Sequence, residues 1–143
     1  MNRISPVEVL ALHDRIVGRT GGRHGVRDLG ALVSALTRPF GGTAAGEFYP
    51  DLERKAAALC HGLVREHPFA DANHRTGMAA AVLLLERNGR RFTAGETDVV
   101  RFARRVAGAH HRIEDMAEWF RVHSEPAGPS RKRRTETKER VDA

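Results

Sequence analysis

From His74 the chain reads His-Arg-Thr-Gly-Met-Ala-Ala-Ala-Val-Leu-Leu-Leu-Glu-Arg-Asn, and Met78 to Leu85 is apolar without a break. A helix that is apolar nearly all round must be covered on every side, so this segment predicts the central helix of the fold. It is too short to cross a bilayer, and no membrane partner is expected. Asn88-Gly89 supplies the stop, with Gly89 just past the C-cap.

The segments around it carry helical punctuation. Ser5-Pro6-Val7-Glu8 is a capping box with proline at the first helical position, and Val9, Leu12, His13 and Ile16 then share a face. Asp28 caps a second helix bearing Leu29, Leu32, Val33 and Leu36, which Pro39 stops. Leu52, Ala56, Leu59, Cys60, Leu63 and Val64 recur at three- and four-residue spacing, one buried face of a third helix. Pro68 disfavours the α region at the residue before it, which ends that helix at His67. Thr93-Ala94-Gly95-Glu96 reads as another capping box, ahead of Val99, Phe102, Ala103 and Val106. Ile113, Met116, Ala117 and Phe120 line the last helix, with Trp119 beside them. The expectation is an all-α, single-domain bundle of about six helices without a convincing strand, a short hairpin near residues 40–49 being left open.

Cys60 lies on an apolar stripe and reads as a small buried hydrophobe; a single cysteine excludes a disulfide scaffold. Met1-Asn2-Arg3-Ile4 has no apolar core behind it, which predicts a cytoplasmic chain. The eight histidines show no strong zinc spacing, and His61, His67, His74 and His110-His111 are assigned no metal. The net charge is +6, of which residues 125–143 supply +2 through six Lys/Arg against four Asp/Glu. That tail contains Arg131-Lys132-Arg133-Arg134, is poor in apolar residues and opens on proline and glycine. The division expected is a domain over 1–124 and a disordered basic tail over 125–143. A solvated tail is the plain reading, and weak electrostatic contact with nucleic acid the sharper one.

The chemistry concentrates in His67-Pro68-Phe69-Ala70-Asp71-Ala72-Asn73-His74-Arg75-Thr76-Gly77, just ahead of the apolar helix. His67 follows a helix end, its imidazole free to point into a cleft. Phe69 is expected to anchor the loop in the core. Asn73 can cap the next helix. The first N–H groups of that helix lack intrahelical partners and sit at the positive end of its dipole, an anion site. Arg75 falls in the same turn, where its fork of donors suits a phosphate. Ala72 and Gly77 are read as keeping side chains away from a close ligand. Gly21-Gly22 and Gly41-Gly42 lack the strand-and-helix context of phosphate loops and are read as turns.

At these residues the chain resembles the Fic/Doc (death-on-curing) family, whose signature is His-Pro-Phe, any residue, Asp or Glu, Gly or Ala, Asn, Gly or Lys, Arg. The fit is at His67, Pro68, Phe69, Asp71, Ala72, Asn73 and Arg75. Gly25-Val26-Arg27-Asp28, Ser34-Ala35-Leu36, Arg38-Pro39, Tyr49-Pro50, Lys55-Ala56-Ala57 and Asn88-Gly89 extend the likeness over roughly residues 5 to 124. Members that transfer AMP carry a second arginine where this chain has Met78; Doc-type members lack it and resemble kinases that transfer the γ-phosphate of ATP to a protein. Ala72 is likewise Doc-like. His74 departs from both patterns, which carry Lys or Gly there, and a mostly neutral imidazole supplies less charge than lysine.

The resemblance implies His67 as general base toward a Ser or Thr hydroxyl of a target protein, with Asn73 and Arg75 stabilising the transferred group. It implies Asp71, Ala72, Asn73, His74, Arg75 and Thr76 as contacts of ATP, and Asp71 as the ligand of Mg²⁺. The target named by the likeness is the elongation factor that delivers aminoacyl-tRNA. The family's inhibitory helix reads Ser or Thr, three residues, Glu, then Gly or Asn. Thr43 to Glu47 is followed by Phe48 and Thr135 to Glu139 by Arg140, so a separate antitoxin is expected, with a flexible segment across the active-site groove. AMP or other nucleotidyl transfer, and a non-catalytic binding module with a nucleic-acid-contacting tail, are the alternative readings.

Overall fold

The computed structural model describes residues 1–108 and 111–128. Six helices are present among them: α1 Pro6–Thr20, α2 Leu29–Thr37, α3 Leu52–Glu66, α4 Asn73–Arg87, α5 Glu96–Gly108 and α6 Ile113–Val122. A single 3₁₀ turn, Arg38–Phe40, follows α2. Two small antiparallel pairs complete the fold, β1 Gly42–Thr43 with β2 Gly46–Glu47 and β3 Arg90–Phe92 with β4 Ser124–Pro126. The all-α expectation holds, and the hairpin left open near residues 40–49 is present.

The caps behave as their chemistry requires. Ser5 and Glu8 close a reciprocal capping box on α1, and Asp28 accepts from the Ala31 N–H to start α2. The second capping box does not form. Glu96 is the first residue of α5, not its third, because Thr93 continues out of β3 and gives its N–H to the His123 carbonyl. That pairing escaped the sequence reading, since three-residue strands carry no usable alternation. Past residue 124, Glu125 and Pro126 pair with Arg91 and Arg90. The basic run Arg131 to Arg134, the Thr135 segment and His110 lie outside the described residues.

The core has two central helices. The apolar α4 is covered by α1, α3, α5 and β3, and α3 is itself packed by α2, α4, α5 and α6. Periodicity marked one buried face on α3, but Ala57, Ala58 and Gly62 are buried as well. Alanine and glycine expose so little apolar area that burial around the helix left no signal. Leu29 and Val33 depart the other way: α2 turns Leu32, Ala35 and Leu36 inward and leaves those two exposed.

Gly77 was read as room for a ligand and is instead a packing residue. A Cβ there would lie 3.2 Å from the Cys60 carbonyl oxygen, 3.3 Å from Val64 Cγ2 and 3.4 Å from Leu63 Cβ. It lets α4 cross α3 closely, which brings the end of α3 and the start of α4 together. Cys60 is buried as expected, and burial pushes its thiol up to about 12, far from nucleophilic use at neutral pH. Lys55 is an unexpected core member. Its Nζ donates to the Tyr49 carbonyl and pairs with Glu47 Oε1 at 3.1 Å, tying the hairpin to α3.

Candidate active site

The site is the loop from His67 to Ala72 between α3 and α4, and two backbone irregularities shape it. His67 (φ 49°) and Ala72 (φ 60°) both occupy the left-handed region. For residues with a Cβ this conformation costs about 1–2 kcal/mol each, so the surroundings must hold it.

The holding is done from outside. Residues 21–28, between α1 and α2, form a strap along the loop. Arg27 and Asp28 give their N–H groups to the Pro68 carbonyl (2.7 and 3.0 Å), and the Ala70 N–H donates to the Gly25 carbonyl at 3.0 Å. Val26 bridges Phe69 in antiparallel fashion. The Arg27 side chain covers the open end of α3, with Nε donating to the His67 carbonyl at 2.6 Å and Nη2 to the Glu66 carbonyl at 2.7 Å. From beneath, Phe69 is anchored as predicted, 1% exposed and stacked on His13 with ring centroids 3.9 Å apart. His13 Nε2 lies 2.9 Å from the Asp71 carbonyl oxygen, where it can donate.

Asn73 is not the N-cap. That position is Ala72, which has no side chain to offer, and Asn73 is the first residue of α4. Its amide turns back into the loop, accepting from the Phe69 N–H at 3.0 Å and donating to the Phe69 carbonyl at 3.1 Å. Because Phe69 fixes this orientation, Nδ2 is the atom facing His67 Nδ1, at 3.4 Å. Nδ2 can only donate, so it is placed to give a hydrogen bond to Nδ1. The ring is exposed.

With a side-chain cap absent, the N–H groups of Asn73, His74 and Arg75 are left at the start of α4, the first intrahelical bond being Thr76 N–H to the Ala72 carbonyl at 3.0 Å. Arg75 is exposed beside them and reaches α1, its Nη1 donating to Thr20 Oγ1 and, at 3.0 Å, to the Gly21 carbonyl. Asp71 accepts from the Ala72 N–H at 2.8 Å and the Arg23 N–H at 3.1 Å. Those two N–H groups, followed by the charges of Arg75 and Arg23, hold its carboxyl below the usual carboxylate range. His74 is half-buried, and desolvation first, then the neighbouring His67, lowers its pKa. It is therefore a neutral donor at pH 7. Thr76, expected at a ligand, is fully buried, and its hydroxyl finds no partner in the structure.

The strap was missed as part of the site. Its sequence signals were Gly21-Gly22, read as a turn, and Gly25-Val26-Arg27-Asp28, read only as part of the family likeness. Gly22 (φ +113°) lies where a Cβ would sit 2.8 Å from Asp71 Oδ2 and 3.2 Å from Arg75 Nη2. Ala72 offers a test of the loop's strain. Ala72→Gly should raise stability by about 0.5–1 kcal/mol, since relief of the left-handed Cβ exceeds the added freedom of the unfolded chain. A thermal midpoint equal to or below the parent's would mean that burial of the methyl group outweighs the strain.

Fold and site define a helical protein with an anion-receptive helix N-terminus beside an exposed imidazole. Comparison with known proteins gives that class a family. The model described as the Fic/DOC family matches residues 3–85. The chain is 39% identical over 89 residues to "Protein kinase doc" of Escherichia phage P1, across 62% of this chain and 70% of that one. It is 45% identical over 69 residues to "Toxin Doc" of Mycolicibacterium smegmatis, across 48% of this chain and 53% of that one. The chain belongs to the Fic/Doc family.

Proposed function

We propose that this chain is a Doc-like toxin that transfers the γ-phosphate of ATP to a Ser or Thr hydroxyl of a target protein. The carrying observation is the convergence at the start of α4, where an exposed His67, an ionised Asp71, Arg75 and the open helix amides border one surface. At the next turn of α4, where an AMP-transferring member would present arginine, Met78 is buried at 6% exposure. The names of the two relatives, one a protein kinase and one a toxin, agree with the reading. The elongation factor that delivers aminoacyl-tRNA is the proposed target.

In this mechanism His67 takes the hydroxyl proton on its imidazole. The target oxygen forms its bond to the γ-phosphorus as the bond to the β–γ bridging oxygen breaks, and ADP leaves. Arg75 and the amides of Asn73, His74 and Arg75 meet the charge on the transferred group. Asn73 acts through the loop, fixing Phe69 and facing the imidazole. The donor set fits Mg²⁺. Among the described residues no group of three or more His, Cys, Asp or Glu is placed to hold a metal. Mg²⁺ takes one or two carboxylates and completes its shell with phosphates and water, which Asp71 suits. Bound there, it would supply charge neutralisation on the phosphate oxygens.

An apolar cleft of about 570 Å³ runs from Arg75 and Thr20 along Ile16, Met78, Val82, Phe92 and Val99. We assign it to the flexible antitoxin segment, whose apolar residues would fill the floor and whose position would close the access to Arg75. No helix among the described residues is long and apolar enough to cross a membrane.

ATP labelled at the γ- or the α-phosphate, with Mg²⁺ and a cell extract, tests the reaction. Protein label from γ alone is the expected result. Label from α would replace the reading by AMP transfer, and no label from either, across pH 6 to 8, by a binding module.

A further inference from the structure

Asp71 is flanked by two arginines from different parts of the chain. Arg75 follows it by one helical turn. Arg23 comes from the strap, 48 residues upstream, and its backbone N–H donates to Asp71 Oδ2 at 3.1 Å. The Arg23 guanidinium rests on the loop, Nη2 donating to the Ala70 carbonyl at 3.1 Å. Both side chains are exposed, and both charges act on the Asp71 carboxyl. Gly22 makes the meeting feasible, since any Cβ there would collide with Asp71 Oδ2 and crowd Arg75 Nη2.

We propose that Arg23 is a phosphate-binding residue of this site, forming with Arg75 a clamp across Asp71 that selects a polyphosphate chain over a single phosphate. The proposal rests on the nucleotide reading above and deepens it. A charge count carries it. Asp71 offsets one guanidinium, and the second is surplus positive charge beside the open amides of α4. Met78 is buried, so α4 adds no cation of its own at the next turn; the strap supplies one. Arginine has five N–H donors in a fixed fork, and the Ala70 carbonyl engages only part of it. The rest of the fork can take phosphate oxygens in the paired geometry that lysine lacks. A polyphosphate chain can engage one guanidinium from the strap and one from α4 together, whereas a lone phosphate meets only one of them.

The backbone N–H of residue 23 reaches Asp71 whatever the side chain, so substitution there tests charge without opening the loop. Full-length parent, Arg23→Ala and Arg23→Lys should be compared by calorimetry with inorganic tripolyphosphate and with ATP plus Mg²⁺, alongside thermal midpoints. Arg23→Ala should weaken both probes about tenfold, as loss of a charge-assisted hydrogen bond does. Lysine should restore part of that, the midpoint should move little, and the salt dependence of binding should flatten in the alanine variant. Orthophosphate should bind weakly and alike to all three. Equal affinity of parent and Arg23→Ala for both probes would overturn the proposal. So would a large midpoint loss that lysine does not repair, which would make Arg23 a strut for the loop, and so would a parent that binds neither probe. The two readings fail separately. Arg23-dependent tripolyphosphate binding without protein labelling leaves the clamp and removes the kinase. Labelling from γ with an unchanged KM for ATP in Arg23→Ala leaves the kinase and removes the clamp.

Discussion

Replacing His67 by alanine should reduce protein labelling from γ-labelled ATP by about 10²–10⁴-fold, the range over which a positioned general base contributes. The fold should survive. The His67 side chain is exposed, and among the described residues its ring meets the Asn73 amide at 3.4 Å and, edge-on, His74 at 6.1 Å between centroids. What the fold uses at this position is the carbonyl that Arg27 covers, and alanine keeps it. Binding of ATP should change little, because the anion-receptive groups belong to α4, the strap and Arg75. The expected pattern is a collapse in kcat with near-parent affinity and near-parent midpoint, and in cells a loss of growth arrest. Retained labelling would remove His67 from the chemistry. A midpoint lowered by many degrees would mean that its ring stabilises the left-handed turn it occupies.

The helices were legible in the sequence because capping and large apolar side chains announce them: Ser5 with Glu8, Asp28, Pro68 and Gly89 mark ends that the structure reproduces. The four short strands were less so, since two or three residues cannot show alternation and β3 finds its partner more than thirty residues later. In the site, local chemistry named the loop's residues, but it placed Asn73 at the N-cap, where Ala72 stands, and Gly77 beside a ligand, where it packs against α3. Asparagine and glycine are common in ligand loops, and both are also common where backbones pack. Only the crossing of α3 and α4 tells which applies, and that crossing depends on long-range contacts. The strap is the clearest gap. Arg23 is an ordinary surface charge in sequence and Arg27 part of a family likeness without a role, and both meet the site loop because α1 returns the chain to it.

Phe69→Ala should be the most destabilising single change in the loop, costing about 3–5 kcal/mol as for other large-to-small core substitutions. The ring is 1% exposed, so the loss of transfer energy is nearly complete. The space cannot close easily, because one wall is the His13 ring stacked 3.9 Å away and another is the Val26 bridge. The consequences go beyond volume. The Phe69 peptide is what holds the Asn73 amide in place, through bonds of 3.0 and 3.1 Å, and His13 uses the same stack to reach the Asp71 carbonyl. Loosening the ring therefore frees the groups that orient His67 and Asp71. For a domain with an overall stability of about 5–15 kcal/mol the variant keeps roughly 0–12 kcal/mol, so it unfolds in part only if the parent lies at the low end of that range. Phe69→Leu separates the two effects. It fills most of the volume and keeps the backbone bonds, so its midpoint should fall by a few degrees while labelling persists. If Phe69→Ala melted within a degree of the parent, the ring would be dispensable, and the loop would be held by the strap alone.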